Sequence, residues 1–411
     1  MRYDLHSHVI PPTIIAAMEK DPKRFETSIT EKDGKRYFDV HGRPALLSPE
    51  FYDADVKVEW MNKNKLDVSV ISVGPPIYFY WLSADAGLAA AKLANDGIAQ
   101  MVAKHPSRLR GMAHLPMQDP DAAIAELERV VKEHGFKAVE LATSIEGTPL
   151  ADKKFRKVLK TIEQLGCFIF AHPYQCLAKG GMEEYYLSNF VGFPLDTTLM
   201  VAHLMFSGAL DEMPDLKIML AHGGGFIPYQ IGRFRHGHQV RNEPKVNNVT
   251  PPRELFKRFY FDCLTHDAQA AKYLIDQVGA DRVVIGTDHP FDMAPLDVPA
   301  AVEGIPGLTA EQREWVCERT AKALLGRSIL DGTVLLVEAV TEDHCANRGS
   351  LPWDAFVLRR RHGRRHELRV RHAVVAPDRL RRLGVGRRHR RIAVAHRDEM
   401  RAGLRGRRLH V

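Results

Sequence analysis

Short apolar runs alternate with amphipathic stretches along most of this chain. Runs at Arg2–His6, Asp67–Gly74, Arg108–Leu115, Ala138–Ala142, Cys167–Ala171, Lys217–Ala221, Phe259–Leu264 and Arg282–Gly286 predict eight strands. Several are dense in Val, Ile and Phe, the mark of strands covered on both faces. Between them, apolar residues recur at helical spacing over Ala89–Lys104, Asp121–Glu133, Lys153–Gln164 and Asp267–Val278. Asp119-Pro120-Asp121, and Thr309 with Glu311, read as helix starts. Eight strand-then-helix units predict the α/β class and a closed (β/α)8 TIM barrel with right-handed crossovers.

Two segments do not fit that rhythm. Residues 11–52 contain a turn signal at Asp33-Gly34 flanked by alternating positions, and predict a small β-rich insertion after the first strand, over the barrel mouth. From about residue 331 the chain changes in kind, and no helical or strand period persists. The expected organisation is a barrel over 1–330 and an Arg-rich tail over 331–411, extraneous or disordered.

Charge sharpens this division. The net charge of +7 is unevenly spread: the tail holds 20 Arg, no Lys and 9 acidic residues, which leaves the barrel mildly acidic. A nucleic-acid-binding arm is one reading of the tail, but Trp353 and Phe356 are its only rings for base stacking, and both precede the Arg-rich part. The other reading is a frame-shifted extension of GC-rich coding sequence. The five cysteines show no paired spacing, the start carries no secretory pattern, and no run approaches the roughly 20 apolar residues of a membrane helix. A reduced, cytoplasmic protein without a membrane anchor is expected.

The candidate chemistry gathers at strand ends. His6 and His8 (YDLHSHV) close the first predicted strand, His172 (FIFAHP) the fifth, His222 (IMLAHGGG) the sixth and Asp288 (VVIGTDHP) the eighth. Barrel chemistry sits at the C-terminal ends of the strands. Each residue alone has an ordinary structural explanation: a hydrogen-bonded histidine, or an aspartate capping a turn. Together they are harder to explain without a cation, because gathering ionisable groups in one buried mouth is costly. Three imidazoles and a carboxylate suit Zn²⁺, one ion per chain. A second, bridged ion is not expected, Glu140 being the only acidic candidate within the fourth strand.

At these residues the chain resembles the amidohydrolase superfamily, and within it the aminocarboxymuconate-semialdehyde decarboxylase group. The likeness runs from Met1 to about Gly326 and includes HSHVIPP, KDGK, FYWLSAD, HLPMQDPDAAIAELER, VGFPLDTT, AHGGGFIPYQIGRFRHG and GTDHPF. It implies His6, His8, His172 and Asp288 as metal ligands and His222 as acid/base. It also implies a homodimer in which Arg233 reaches the neighbouring subunit's site to hold a substrate carboxylate, and a pocket to which Lys35 and Trp81 contribute. Without the resemblance Arg233 reads as a solvated helix charge, and Trp81 equally well as core. Where the family can carry a second carboxylate-binding arginine, six residues after the lysine that Lys35 matches, this chain has His41; Arg43 is the nearest substitute.

The implied reaction is Lewis-acid catalysis on a small carboxylic acid. Non-oxidative decarboxylation of a carboxylated conjugated or aromatic catabolite is the first reading. Hydrolysis of an amide, ester or C–C bond on the same scaffold is the alternative, and nucleic-acid binding by the tail a third.

Overall fold

The computed structural model describes residues 1–40, 42–174, 177 and 180–326, the side chain of Arg43 excepted, and five short backbone strands beyond them. The chain divides into two units, Met1–Gly326 and Arg327–Val411.

In the first unit eight parallel strands lie in chain order: β1 (Tyr3–Val9), β2 (Val68–Val73), β3 (Leu109–His114), β4 (Ala138–Ala142), β5 (Phe168–His172), β6 (Lys217–Leu220), β7 (Tyr260–Asp262) and β8 (Val283–Val284). Their residues are almost all buried, as the unbroken apolar runs require. Parallel bridges Asp4↔Ile285 and Ser7↔His289 return β8 to β1 and close the barrel. The four helices expected from periodicity are present, as Ala84–Lys104, Pro120–Glu133, Arg156–Gln164 behind a single turn at Lys153–Phe155, and Ala268–Val278. Asp119 caps its helix through the amides of Asp121 and Ala122, and Thr309 forms a capping box with Gln312.

A register shift in β1 positions the chemistry. Tyr3 and Leu5 join the apolar cluster inside the barrel with Val70, Phe168, Phe170 and Met219. Unbroken alternation would put Ser7 inside next. Pairing with β2 slips between Asp4 and Ser7, and His6 turns inward instead, onto Phe170 and His172. An irregularity of this kind re-aims a side chain beside a site.

Within residues 11–52 the chain forms helices Pro12–Lys20 and Pro22–Phe25 before a three-stranded antiparallel sheet, Thr27–Lys32, Lys35–Val40 and Arg43–Leu46. Phe25 packs on Phe79, beyond β2, and Phe51 on Phe291, beyond β8. In the second unit, Leu335–Val340 pairs antiparallel with Ala355–Arg360 and Arg391–Ala393, and Arg369–Arg371 with Gly406–Arg408. The expectation of an extraneous tail falls on this region, most of which lies outside the described residues.

Candidate metal centre and its cavity

Five side chains converge at the C-terminal end of the barrel. His6 Nε2 lies 3.1 Å from His8 Nε2. Each of these nitrogens is 3.2 Å from Asp288 Oδ1. His172 faces both, its ring 5.1 Å from that of His6 and 5.0 Å from that of His8. His222 completes the group, 3.6 Å from Asp288 Oδ2 through Nε2. Asp288 is reached by a left-handed turn (φ 58°) in the loop after the two-residue strand β8.

The second nitrogens settle the tautomers. Nδ1 of His6 donates to Asp262 Oδ2 at 2.7 Å. Nδ1 of His8 donates to the Val73 carbonyl at 3.1 Å, and Nδ1 of His172 to the Pro173 carbonyl at 2.6 Å. Each ring therefore spends its N–H outward and turns the lone pair of Nε2 inward, the arrangement of imidazoles that ligate a metal. Nε2 of His172 and Oδ1 of Asp288 are buried with no hydrogen-bond partner, and orphaned acceptors of this kind need a cation. Donors bonded to one ion at roughly 2.0–2.1 Å stand about 3.3 Å apart in a tetrahedral set, close to the spacings here. The residues fit a divalent metal.

The electrostatics agree. Burial works against charge on His6, but Asp288 and Asp262 outweigh it and raise its pKa to about 10: the centre demands positive charge. His172 is pushed well below the usual imidazole range, by burial first and then by His222, His8 and His6. Burial would raise Asp288, yet the surrounding imidazoles hold it well below the usual carboxylate range.

His222 differs from the other three histidines. It also falls within 4.8 Å of His6, His172 and Asp288 as a possible ligand set, so proximity alone would admit it. Its Nδ1, however, has no hydrogen-bond partner to fix the ring, and its side chain is 18% exposed where those of His6 and His8 are sealed. It borders a cavity of about 640 Å³ walled by rings, with Phe190, Phe193, Phe226, Tyr229 and Tyr273 among them. His8 is sealed with its Nδ1 bonded, whereas His222 faces the cavity.

The remaining expected residues lie further out. Arg233 is exposed on the helix Ile227–Val240, whose first turn borders the cavity. Trp81 is half-buried and stacks on Tyr174, and is not among the cavity-lining residues. Lys35 is exposed beside the Asp33-Gly34 turn. The proposed role of Arg43 falls on a side chain outside those described, as does His41. Glu140 sits behind His8, 3.7 Å from its Nδ1 and bonded by the Tyr78 hydroxyl at 2.5 Å. It faces the outward nitrogen of His8, and its other oxygen is buried without a hydrogen-bond partner.

Two residues escaped the sequence reading. Asp262 ends β7 and accepts from His6 Nδ1 and from the amides of His222, Gly223 and Leu264. Its position after an apolar run, like that of His172, was the available signal. Lys57, fully buried, donates to the His8 carbonyl; nothing in its helix sequence distinguishes it from a solvated lysine.

Comparison with known proteins agrees with this geometry. The family model described as Amidohydrolase matches residues 3–327. The 2-amino-3-carboxymuconate-6-semialdehyde decarboxylase of Dictyostelium discoideum is 31% identical over 341 residues, covering 80% of this chain and 91% of that protein. Among solved structures, the apo form of Metarhizium anisopliae IDCase superposes with a TM-score of 0.70 at 25% identity, over 79% of this chain and 97% of that one. A dihydroxybenzoic acid decarboxylase from Polaromonas sp. JS666, with bound manganese and the inhibitor 2-nitroresorcinol, gives 0.65 at 24% identity, over 79% and 96%.

Proposed function

The chain belongs to the amidohydrolase family, and from that premise we propose that it is a metal-dependent, non-oxidative decarboxylase of a carboxylated aromatic or conjugated acid. The observation that carries the reading is the convergence of three inward-facing imidazole nitrogens and a carboxylate beside a ring-lined cavity. His6, His8, His172 and Asp288 hold one divalent ion, with zinc the ion that three imidazoles and a carboxylate suit best; the Polaromonas relative holds manganese. When bound, the ion supplies Lewis acidity toward oxygens of the substrate.

This chain's residues do the rest. The walls of the cavity stack a flat, conjugated acid. As the bond to the carboxyl carbon breaks, CO2 leaves and its bonding pair stays on the ring or chain carbon. His222, at the cavity edge, delivers a proton to that carbon. In the proposed homodimer Arg233 of one subunit grips the carboxylate bound in the other, as a guanidinium fork does bidentately. A cytoplasmic setting fits Cys167, Cys263 and Cys317, all free thiols.

The test is a panel of carboxylated aromatic and muconate-type acids incubated with purified protein, with CO2 release and metal content measured together. Turnover that tracks metal content supports the reading. Metal-replete protein that releases no CO2 but cleaves amides or esters would replace it with hydrolysis.

A further inference from the structure

The barrel closes next to the candidate metal centre, through two isolated bridges. β8 has only two residues, so the loop bearing Asp288 meets β1 through isolated contacts. The amides of Thr287 and Asp288 donate to the His6 carbonyl, and the His8 amide donates to the His289 carbonyl. His8 and Asp288 stand on opposite sides of this seam, and their spacing depends on what spans it.

A buried lysine spans it. Lys57, on the helix Ala54–Lys63, has no exposure to solvent. Its Nζ donates to the His8 carbonyl at 2.8 Å and to the His289 carbonyl at 3.3 Å, and lies 3.3 Å from His289 Nδ1. One group thus holds the backbone on both sides of the seam. Three residues on, and so on the same helix face, Trp60 stacks on the His289 ring with centroids 3.6 Å apart and planes 19° apart. Burial lowers the pKa of this amine to about 7. An apolar side chain would fill the space but could not donate to two carbonyls from one point.

We propose that Lys57 and Trp60 form a clamp that fixes the loop after β8 against β1, making Lys57 a positioning residue for the metal centre through His8 and Asp288. The inference rests on the metal reading above.

The full chain carrying Lys57→Met tests it, with Zn²⁺ affinity measured by chelator competition and Co²⁺ as a spectroscopic probe. Supporting partners of metal ligands typically contribute about 10–100-fold to affinity. Zn²⁺ affinity should fall by about that factor and the Co²⁺ ligand-field bands should shift. Trp60→Leu should move both in the same direction by less. Should Lys57→Met fail to fold, Lys57→Arg retains hydrogen-bond donors with altered reach, and a changed Co²⁺ spectrum there carries the same meaning. Folded variants with wild-type affinity and spectrum, even at a lower melting temperature, would reduce Lys57 to a packing role and overturn the clamp. Wild-type protein that binds no divalent ion would sink the metal reading itself, which separates the two failures.

Discussion

Asp262 accepts the Nδ1 proton of His6 with one carboxylate oxygen and shares both oxygens with the backbone amides of His222 and Gly223. A single buried group on β7 thereby orients a proposed metal ligand from β1 and the turn that carries the proposed acid/base. The carboxylate also strengthens His6 as a donor.

Removing its charge should therefore disturb both functions. Asp262→Asn is expected to lower metal affinity about 10–100-fold and to lower turnover further than metal loss explains. Activity measured at saturating metal separates the two effects. Full recovery of turnover there would confine Asp262 to supporting His6.

His8 and His222 should differ in kind. His8→Ala removes an inward nitrogen and should lose both metal and activity. His222→Ala should retain the ion while turnover falls by roughly 10²–10⁴-fold, the usual weight of a positioned proton donor. Elemental analysis of both variants beside the wild type decides the point, with one ion per wild-type chain expected. Equal metal loss in the two would make His222 a ligand, and two tightly held ions would overturn the single-ion assignment.

The contrast between His172 and Lys57 shows what was legible in the sequence. His172 and Asp288 follow apolar runs, and runs of that kind end at a barrel mouth, so periodicity located them. Their joint chemistry pointed to a cation, and the resemblance implied which residues would be ligands and which the acid/base. The β1 register shift could not be read, because it arises where β1 meets β2 and β8; the alternation from Tyr3 and Leu5 would have put Ser7 inside. Lys57 was hidden for a related reason. Its helix, ADVKVEWMNK, reads as charged, and only the seam it meets makes that position buried. Cavity walls such as Phe193 and Tyr273 come from helices and loops far apart in sequence, so no local pattern announced them.

The Arg-rich tail should prove dispensable. The barrel closes, and its last helix, Thr320–Leu325, buries Ala321 and Leu324 against the interior cluster before Gly326. A chain ending at Leu330 should keep the melting temperature, metal content and turnover of the full chain. Insolubility or loss of turnover on truncation would make the tail part of the working protein. Salt-dependent binding of DNA or RNA by the full chain, lost on truncation, would assign the tail a separate role.

Arg233 gives the most demanding test, because its proposed role needs two chains. The helix carrying it begins at Ile227, six residues earlier, so Arg233 stands about 9 Å along the axis at roughly 1.5 Å per residue. It is exposed, as is Tyr229 on the same helix. That suits a group offered to a second subunit across a two-fold axis. Arg233→Ala should raise KM or abolish turnover while leaving metal content unchanged. Co-expressed with His222→Ala, it should restore part of the activity. A mixed dimer then has one site with an intact His222 from the first variant and an intact Arg233 from the second, while its other site lacks both. Random assortment makes half of the dimers mixed and gives each one working site, so recovery approaches about one quarter of the wild-type rate per chain. Heterodimers shown to form without any recovery would leave Arg233 acting within its own chain or on the surface alone.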